Sequence, residues 1–96
     1  MKEIIADTMR SFYNREGELT GYTVEQDSFV MYYFADGSPR LRLPYDSSGS
    51  MNGPVKRWHS NGTVQATGQY ENDKQVGLWI EYDREGNEIH REVFTP

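Results

Sequence analysis

Two histidines, His59 and His90, are the residues of this sequence best suited to acid–base or metal chemistry. Neither belongs to a His-x-x-x-His pair, and the chain contains no cysteine, so the common metal-ligand spacings are missing. Arg57, His59 and Glu81 are placed where they could converge on one face of a sheet, but isolated groups of this kind are more often solvated surface residues. We therefore expect no enzymatic activity, no metal and no cofactor.

Negative charge is the second chemical feature, and it is concentrated toward both ends of the chain. The formal net charge is −5 at pH 7; residues 1–29 and 78–96 are acidic, whereas residues 30–77 are slightly basic. One interpretation is that these carboxylates keep the protein soluble and blunt the sheet edges. The other is an acidic docking surface that attracts a basic protein. The candidate docking carboxylates are Glu81, Asp83, Glu85, Glu88 and Glu92.

The same charge balance argues against several classes of partner. Phosphate binding requires a basic face, so we expect no nucleic acid, and an acidic chain is not attracted to an anionic membrane. The sequence has no apolar stretch long enough to cross a bilayer and does not begin like a signal peptide. We expect a cytoplasmic protein.

The elements that must position these residues follow from four repeated segments. In each segment an aromatic residue stands four positions before a glycine, and the glycines recur at intervals of roughly two dozen residues. The pairs are Tyr13 and Gly17, Tyr33 and Gly37, Trp58 and Gly62, and Tyr82 and Gly86.

Each repeat is interpreted as a β-hairpin that turns at its glycine. Asn61-Gly62 and Asp36-Gly37 are typical of a two-residue type I′ turn, whereas Glu16-Gly17 and Glu85-Gly86 favour a three-residue loop with a left-handed glycine. The polar stretch 46–50 is interpreted as a long hairpin loop. The predicted fold class is all-β: a single antiparallel meander of β-hairpin repeats, with about eight strands in an elongated, twisted sheet.

Alternation along the strands assigns side chains to the two faces of this sheet. Tyr32, Arg57 and Trp79 are predicted on the face opposite the core, either as an exposed binding stripe or as rings covered by an N-terminal segment containing Ile4 and Ile5. Small residues at 66 and 68 are expected to make room for a ring from a neighbouring unit. The predicted core comprises Met31, Tyr33, Leu41, Leu43, Tyr45, Trp58, Val64, Ala66, Tyr70, Ile80 and Tyr82.

The pattern of glycines and aromatic residues over 51–94 resembles the variant MORN repeat. Gly77, Trp79, Tyr82 and Gly86 match the order Gly-x-Trp-x-x-Tyr-x-x-x-Gly, although 71–74 (Glu-Asn-Asp-Lys) replaces the usual Asn-Gly-Lys. The resemblance is weaker over 29–50 and faint over 1–28. It divides a single domain, 1–96, into a degenerate N-terminal cap, 1–28, and repeats at about 29–53, 54–77 and 78–96.

The resemblance implies a protein-binding role, because bacterial proteins built of such repeats include antitoxins and immunity proteins. We expect a cytoplasmic immunity protein or antitoxin that neutralises a toxin by occlusion, with a basic toxin domain as its partner. The alternative is a generic scaffold or adaptor that binds another protein or forms a homo-oligomer through an open sheet edge. The candidate partner-binding residues are Tyr32, Arg57, Trp79, Glu81, Asp83, Glu85, Glu88 and Glu92.

Overall fold

The structure, a computed structural model, describes residues 8–95, which form one antiparallel sheet of eight strands. Each strand pairs with the next along the chain and the sheet does not close, so the predicted all-β meander is confirmed. No helix occurs between residues 8 and 95, and Ile4 and Ile5 lie outside this range. The strands are β1 (Thr8–Tyr13), β2 (Leu19–Glu25), β3 (Phe29–Phe34), β4 (Pro39–Pro44), β5 (Gly53–Trp58), β6 (Val64–Glu71), β7 (Lys74–Tyr82) and β8 (Glu88–Phe94).

The sheet is extended and twisted. Its radius of gyration is 15.2 Å, whereas a compact domain of this length would measure about 12–13 Å. Its principal extents are 42, 33 and 28 Å. The third dimension, 28 Å, exceeds the roughly 10 Å of a flat layer because the strands twist and coil along the sheet.

Five turns share one geometry, and each contains a glycine in the left-handed conformation. In each, the glycine N–H donates to the carbonyl three residues earlier, and the glycine φ lies between 84° and 93°. The type I′ prediction for Asn61-Gly62 and Asp36-Gly37 is wrong, because neither Asn61 nor Asp36 has a positive φ. Their side chains instead accept the N–H two residues later, which stabilises the three-residue loop expected only for the other two sites. These glycine turns span residues 14–18, 34–38, 46–50, 59–63 and 83–87.

The turn between β6 and β7 is the place where the chain does adopt the two-residue geometry. Asn72 and Asp73 have φ values of 50° and 68°, and Glu71 pairs directly with Lys74 across them. Asn and Asp tolerate this left-handed conformation better than other non-glycine residues because their side chains bond locally. The β4 to β5 connection contains the 46–50 glycine turn, and β4 pairs with β5, so its interpretation as a hairpin loop is confirmed.

Four of the five glycine turns, all except 46–50, fix the register of their hairpins in the same way. In each hairpin the ladder shifts just before the turn, so the residue five positions before the glycine pairs with the residue four positions after it. The predicted core stripe placed residues at even distances before and after each glycine on the same face. The observed register pairs an odd distance before the glycine with an even distance after it, so the predicted stripe is wrong. Met31 and Ile80 lie on one face of the sheet, and Leu41 and Ala66 lie on the other.

Two rows of paired residues cross all eight strands, one on each face. The Arg57 row consists of Arg10, Thr23, Tyr32, Leu41, Arg57, Ala66, Glu81 and His90. The Lys56 row consists of Met9, Val24, Met31, Arg42, Lys56, Thr67, Ile80 and Arg91. We name the two faces of the sheet after these rows.

Side-chain packing is densest around Trp79 on the Arg57 face. The Trp79 ring covers Gly68 so closely that an added Cβ would collide with the ring atoms Cδ2 and Cε2. Tyr70 and Phe94 meet the same ring edge-on, with centroids at 5.3 and 6.2 Å. Val55 pairs with Gly68 and is only 7% exposed. The expectation that a small residue at 68 makes room for a neighbouring ring is confirmed.

Polar contacts tie neighbouring hairpins together at both ends of the strands. At one end the Met51 N–H donates to the Asp73 carboxylate at 2.7 Å, and the Asn72 N–H donates to the Asn52 side-chain oxygen at 2.9 Å. At the other end the Asn61 amide donates to the Arg84 carbonyl at 3.0 Å. Because the described residues form a single layer, these contacts supply part of the cohesion that a second layer gives other folds.

Gly68→Ala should destabilise the protein by about 1–3 kcal/mol, because the new methyl group would displace the Trp79 ring. The backbone itself permits alanine, since Gly68 does not have a positive φ. The free energy of unfolding measured in urea checks this. Gln69→Ala, an exposed neighbour on the other face, is the control and should change stability by less than about 0.5 kcal/mol; equal stability of both variants would contradict the packing described.

Acid should weaken the glycine turns that begin with aspartate. The Asn87 N–H is the main cause that lowers the pKa of Asp83 below its usual 3.8, and the Ser48 hydroxyl does the same for Asp46. The stabilisation is therefore present above pH 3.8 and is lost as the pH falls through the lower folded-state pKa values.

The double variant D46N/D83N should lose part of this acid sensitivity, because an amide oxygen still accepts the turn hydrogen bonds, as Asn14 does in the first turn. Urea unfolding at pH 7 and pH 3 measures the difference between the two proteins. Glu71→Gln, at an exposed carboxylate without a hydrogen bond in the described structure, should keep the wild-type pH dependence.

Candidate functional site

Three overlapping surface grooves follow the Arg57 row across the sheet. The first includes Arg10, Thr23 and Tyr32, and the second includes Tyr32, Leu41 and Arg57. The third includes Arg57, Ala66 and Glu81. Because neighbouring grooves share Tyr32 or Arg57, they join into one trough that runs across seven strands.

The first groove, here the acidic groove, lies at the β1 to β4 end of the trough and has a volume of about 500 Å³. Glu25, Asp27 and Asp46 contribute carboxylates to it, whereas Arg10 is the one cation among its lining residues within 8–95. Burial raises the pKa of the Tyr45 phenol in its wall. This part of the trough suits a positively charged group of a partner.

The second groove, here the arginine groove, is the largest, at about 720 Å³. Arg40, Arg57 and Arg84 bring three guanidinium groups to it, and none of its lining residues is acidic. It lies beside the glycine turns, because Ser60 and Arg84 belong to the turns of the last two hairpins. Its remaining lining residues are Tyr32, Phe34, Leu41, Trp58, His59 and Gln65.

The third groove, here the Glu81 groove, continues the trough to β7 and has a volume of about 300 Å³. Glu81 and Asp83 add carboxylates there, while Arg57 and Arg84 are shared with the arginine groove. The trough therefore passes from acidic through basic to mixed charge. His59 lies in the shared wall, where its Nε2 is 2.8 Å from the Tyr82 carbonyl oxygen, so the Nε2–H tautomer donates this bond.

Five of the predicted partner-binding residues lie on the Arg57 face, and four of these line its surface. Tyr32, Arg57 and Glu81 belong to the row itself. Glu92 pairs with Trp79, which lies two residues before Glu81 on β7 and so shares its face. Arg57, Glu81 and Glu92 are exposed, and Tyr32 is half-buried. Their alignment gives a possible partner one continuous surface to contact.

The fifth, Trp79, and the three remaining residues occupy different environments. Trp79 is half-buried in its aromatic cluster and donates its indole N–H to the Val76 carbonyl at 3.2 Å, so it packs on the sheet and does not stand free. The Asp83 carboxylate accepts the Glu85 and Asn87 N–H groups within its turn. Glu88 forms a two-pronged ion pair with Arg91, at 2.7 and 2.8 Å. Glu85 is exposed in the last turn.

The sequence analysis missed Arg40 and Arg84 as lining residues. Each stands close to a glycine, where alternation along a strand no longer determines the direction of a side chain. Arg84 is directed by the neighbouring hairpin, since its Nη1 donates to the Ser60 hydroxyl at 3.3 Å. Arg40 lies over the Phe34 ring at 5.7 Å from its centroid. The basic balance of residues 30–77 could have indicated Arg40, whereas Arg84 lies in the acidic segment 78–96 and has no such signal.

Exposed aliphatic side chains lie along the last hairpin. Ile89 and Val93, both on β8, are 62% and 66% exposed, and Leu78, which pairs with Val93, is 43% exposed. Among the strands between residues 8 and 95, β8 pairs with β7 alone and presents an open edge. An open edge next to apolar residues is a site at which another chain can add.

Between residues 8 and 95, no three histidine or acidic side chains are grouped so that they could hold a metal ion. Over the same part of the chain, no helix has the length and apolar character needed to cross a membrane.

Comparisons with protein-family models, with curated proteins and with solved structures gave no match. The resemblance to the variant MORN repeat therefore rests on the glycine and aromatic pattern alone and stays a prediction.

Two substitutions should separate a packing role from a surface role on the Arg57 face. Trp79→Ala should lower the free energy of unfolding by about 2–4 kcal/mol, because it empties the space above Gly68. Arg57→Ala removes an exposed side chain and should cost less than about 0.5 kcal/mol. Urea unfolding measures both, and a stable Trp79→Ala protein would show that the ring does not hold the sheet.

Proposed function

We propose that this protein is a protein-binding repeat module, and more specifically a cytoplasmic immunity protein or antitoxin that occludes a basic toxin domain. The observation that carries the proposal is the trough along the Arg57 row, which offers one uninterrupted surface across seven strands. The resemblance to variant MORN repeats supports the toxin-neutralising form of the proposal. Occlusion requires no reactive group, only a surface of matching shape and charge.

The residue types along the trough suit protein recognition. Tyrosine, tryptophan and arginine supply most of the binding energy in protein interfaces, and Tyr32, Trp58 and Arg57 all line the arginine groove. The half-buried rings are already held by the sheet, so little side-chain freedom is lost on binding. The carboxylates at both ends would accelerate encounter with a basic partner through long-range attraction.

The alternative is a scaffold or adaptor that associates with a second copy of itself through the β8 edge. The exposed Ile89 and Val93 side chains beside this open strand favour it. Glu88 and Glu92 on the same strand oppose it, because pairing two such edges brings like charges together. The mass of the purified protein in solution, measured at several concentrations, distinguishes the two functions, because self-association makes the mass rise with concentration.

The test is co-purification of the tagged protein from its native host, identification of the retained protein by mass spectrometry, and kinetic measurement with that partner. Glu81→Lys and Glu92→Lys, on the Arg57 face, should each slow association by about tenfold at low salt and reduce the salt dependence. Glu71→Lys carries the same charge change next to the β6 to β7 turn and should alter the association rate by less than about twofold.

Three results would contradict the proposal. The first is a retained partner that is acidic, and the second is equal slowing by Glu71→Lys and Glu92→Lys. The third is the capture of no partner together with a mass that doubles as the protein is concentrated, which would support the self-associating scaffold instead.

A further inference from the structure

We infer that the arginine groove binds an acidic peptide segment, in which glutamate or aspartate side chains pair with Arg40, Arg57 and Arg84. This inference rests on the proposed protein-binding function and adds a second, opposite charge requirement to the partner. A partner that fits the whole trough presents basic groups to its ends and an acidic segment to its middle.

The guanidinium groups of the groove have unused hydrogen-bonding capacity. Among the described residues none of the three arginines forms an ion pair, in contrast to Arg91, which is paired with Glu88. Arg84 donates one bond to the Ser60 hydroxyl, and Arg57 has no side-chain hydrogen bond in the described structure. A guanidinium can donate two parallel bonds to one carboxylate, so carboxylates are well matched to these exposed groups.

The rest of the groove suits a peptide chain in shape and chemistry. Tyr32 and Phe34 are half-buried rings that provide apolar contact between the charged groups, and Trp58, whose ring centroid lies 5.5 Å from the Lys56 Nζ, borders the groove. Gln65 and Ser60 offer neutral hydrogen-bonding groups to a peptide backbone. The groove is open along the trough at Tyr32 and at Arg57, so an extended chain can enter and leave it.

The charges on either side of the groove favour a peptide over a nucleic acid. Glu25 and Asp27 lie on the side of the acidic groove, and Glu81 and Asp83 lie on the other side. The strand spacing places Glu81 about 10 Å from Arg57, since Ala66 lies between them in the row. A nucleic acid carries a phosphate on every nucleotide, so it would be repelled by these carboxylates at both ends of the groove. A peptide can carry acidic residues at the arginines and neutral or basic residues elsewhere.

The experiment titrates the ¹⁵N-labelled full chain with an end-blocked hexaglutamate peptide at low ionic strength and follows the two tryptophan indole N–H signals. Trp58 lines the groove, whereas Trp79 lies in the aromatic cluster and donates to Val76, so the two indoles form an internal comparison. We expect a saturable shift of the Trp58 signal with little change at Trp79. Hexathymidylate, tested in the same way, should bind at least about tenfold more weakly.

The double variant R57Q/R84Q should weaken hexaglutamate binding by at least about tenfold, and Arg40→Gln alone should weaken it by a smaller factor. R15Q/K74Q removes the same charge from exposed positions outside the groove and should change the affinity by less than about twofold. A dispersed ¹H–¹⁵N spectrum verifies that each variant is folded. If R57Q/R84Q does not fold, the single Arg40→Gln variant tests the groove.

The inference is overturned if the Trp58 signal does not shift, if both double variants weaken binding equally, or if hexathymidylate binds more tightly than hexaglutamate. These results leave the capture of a basic partner from the native host unaffected. Failure of the groove to bind an acidic peptide is thus distinguishable from failure of the proposed function.

Discussion

The register imposed by the glycine turns is the constraint on which the rest of this structure depends. Four of the five glycine turns, all except 46–50, leave one strand shifted against the other just before the glycine, and the shift is the same in all four hairpins. Because side chains alternate between the faces, a slip of one residue would move every paired side chain to the opposite face. Equal shifts keep the Arg57 row continuous, and this continuity turns separate hairpins into one trough.

The described residues form a single sheet without a second packed layer, and two kinds of contact between neighbouring hairpins stabilise it. One is the cluster around Trp79, where a ring from β7 fills the space left by a glycine on β6. The other is the network of side-chain to backbone bonds between adjacent turns, such as Asn61 to Arg84 and Asp73 to Met51. Arg84 takes part in both cohesion and the binding surface, since its carbonyl accepts the Asn61 bond and its side chain belongs to a residue that lines the arginine groove.

The sequence predicted the meander because glycine and aromatic spacing identifies hairpins directly. It also predicted that a small residue at 68 would accept a ring. The assignment of side chains to faces failed, since alternation is reliable only within a strand and the core stripe extended it across turns whose ladders shift. The directions of Arg40 and Arg84 could not be predicted, because they depend on Phe34 and on Ser60 of the neighbouring hairpin. The aliphatic residues of β8 were visible in the sequence, but only the strand order shows that they border an open edge.

The pairing of β4 with β5 is the most direct test of the continuous row, because only two residue pairs join these strands within the described structure. Nuclear Overhauser effects between backbone protons of Leu41 and Arg57, and of Arg42 and Lys56, measure this register in solution. The account predicts cross-strand contacts at both pairs, together with Arg57 to Ala66 and Ala66 to Glu81. Contacts from Leu41 to Lys56 or to Trp58 in place of Arg57 would show a slipped register, separate Tyr32 from Arg57 and contradict the trough.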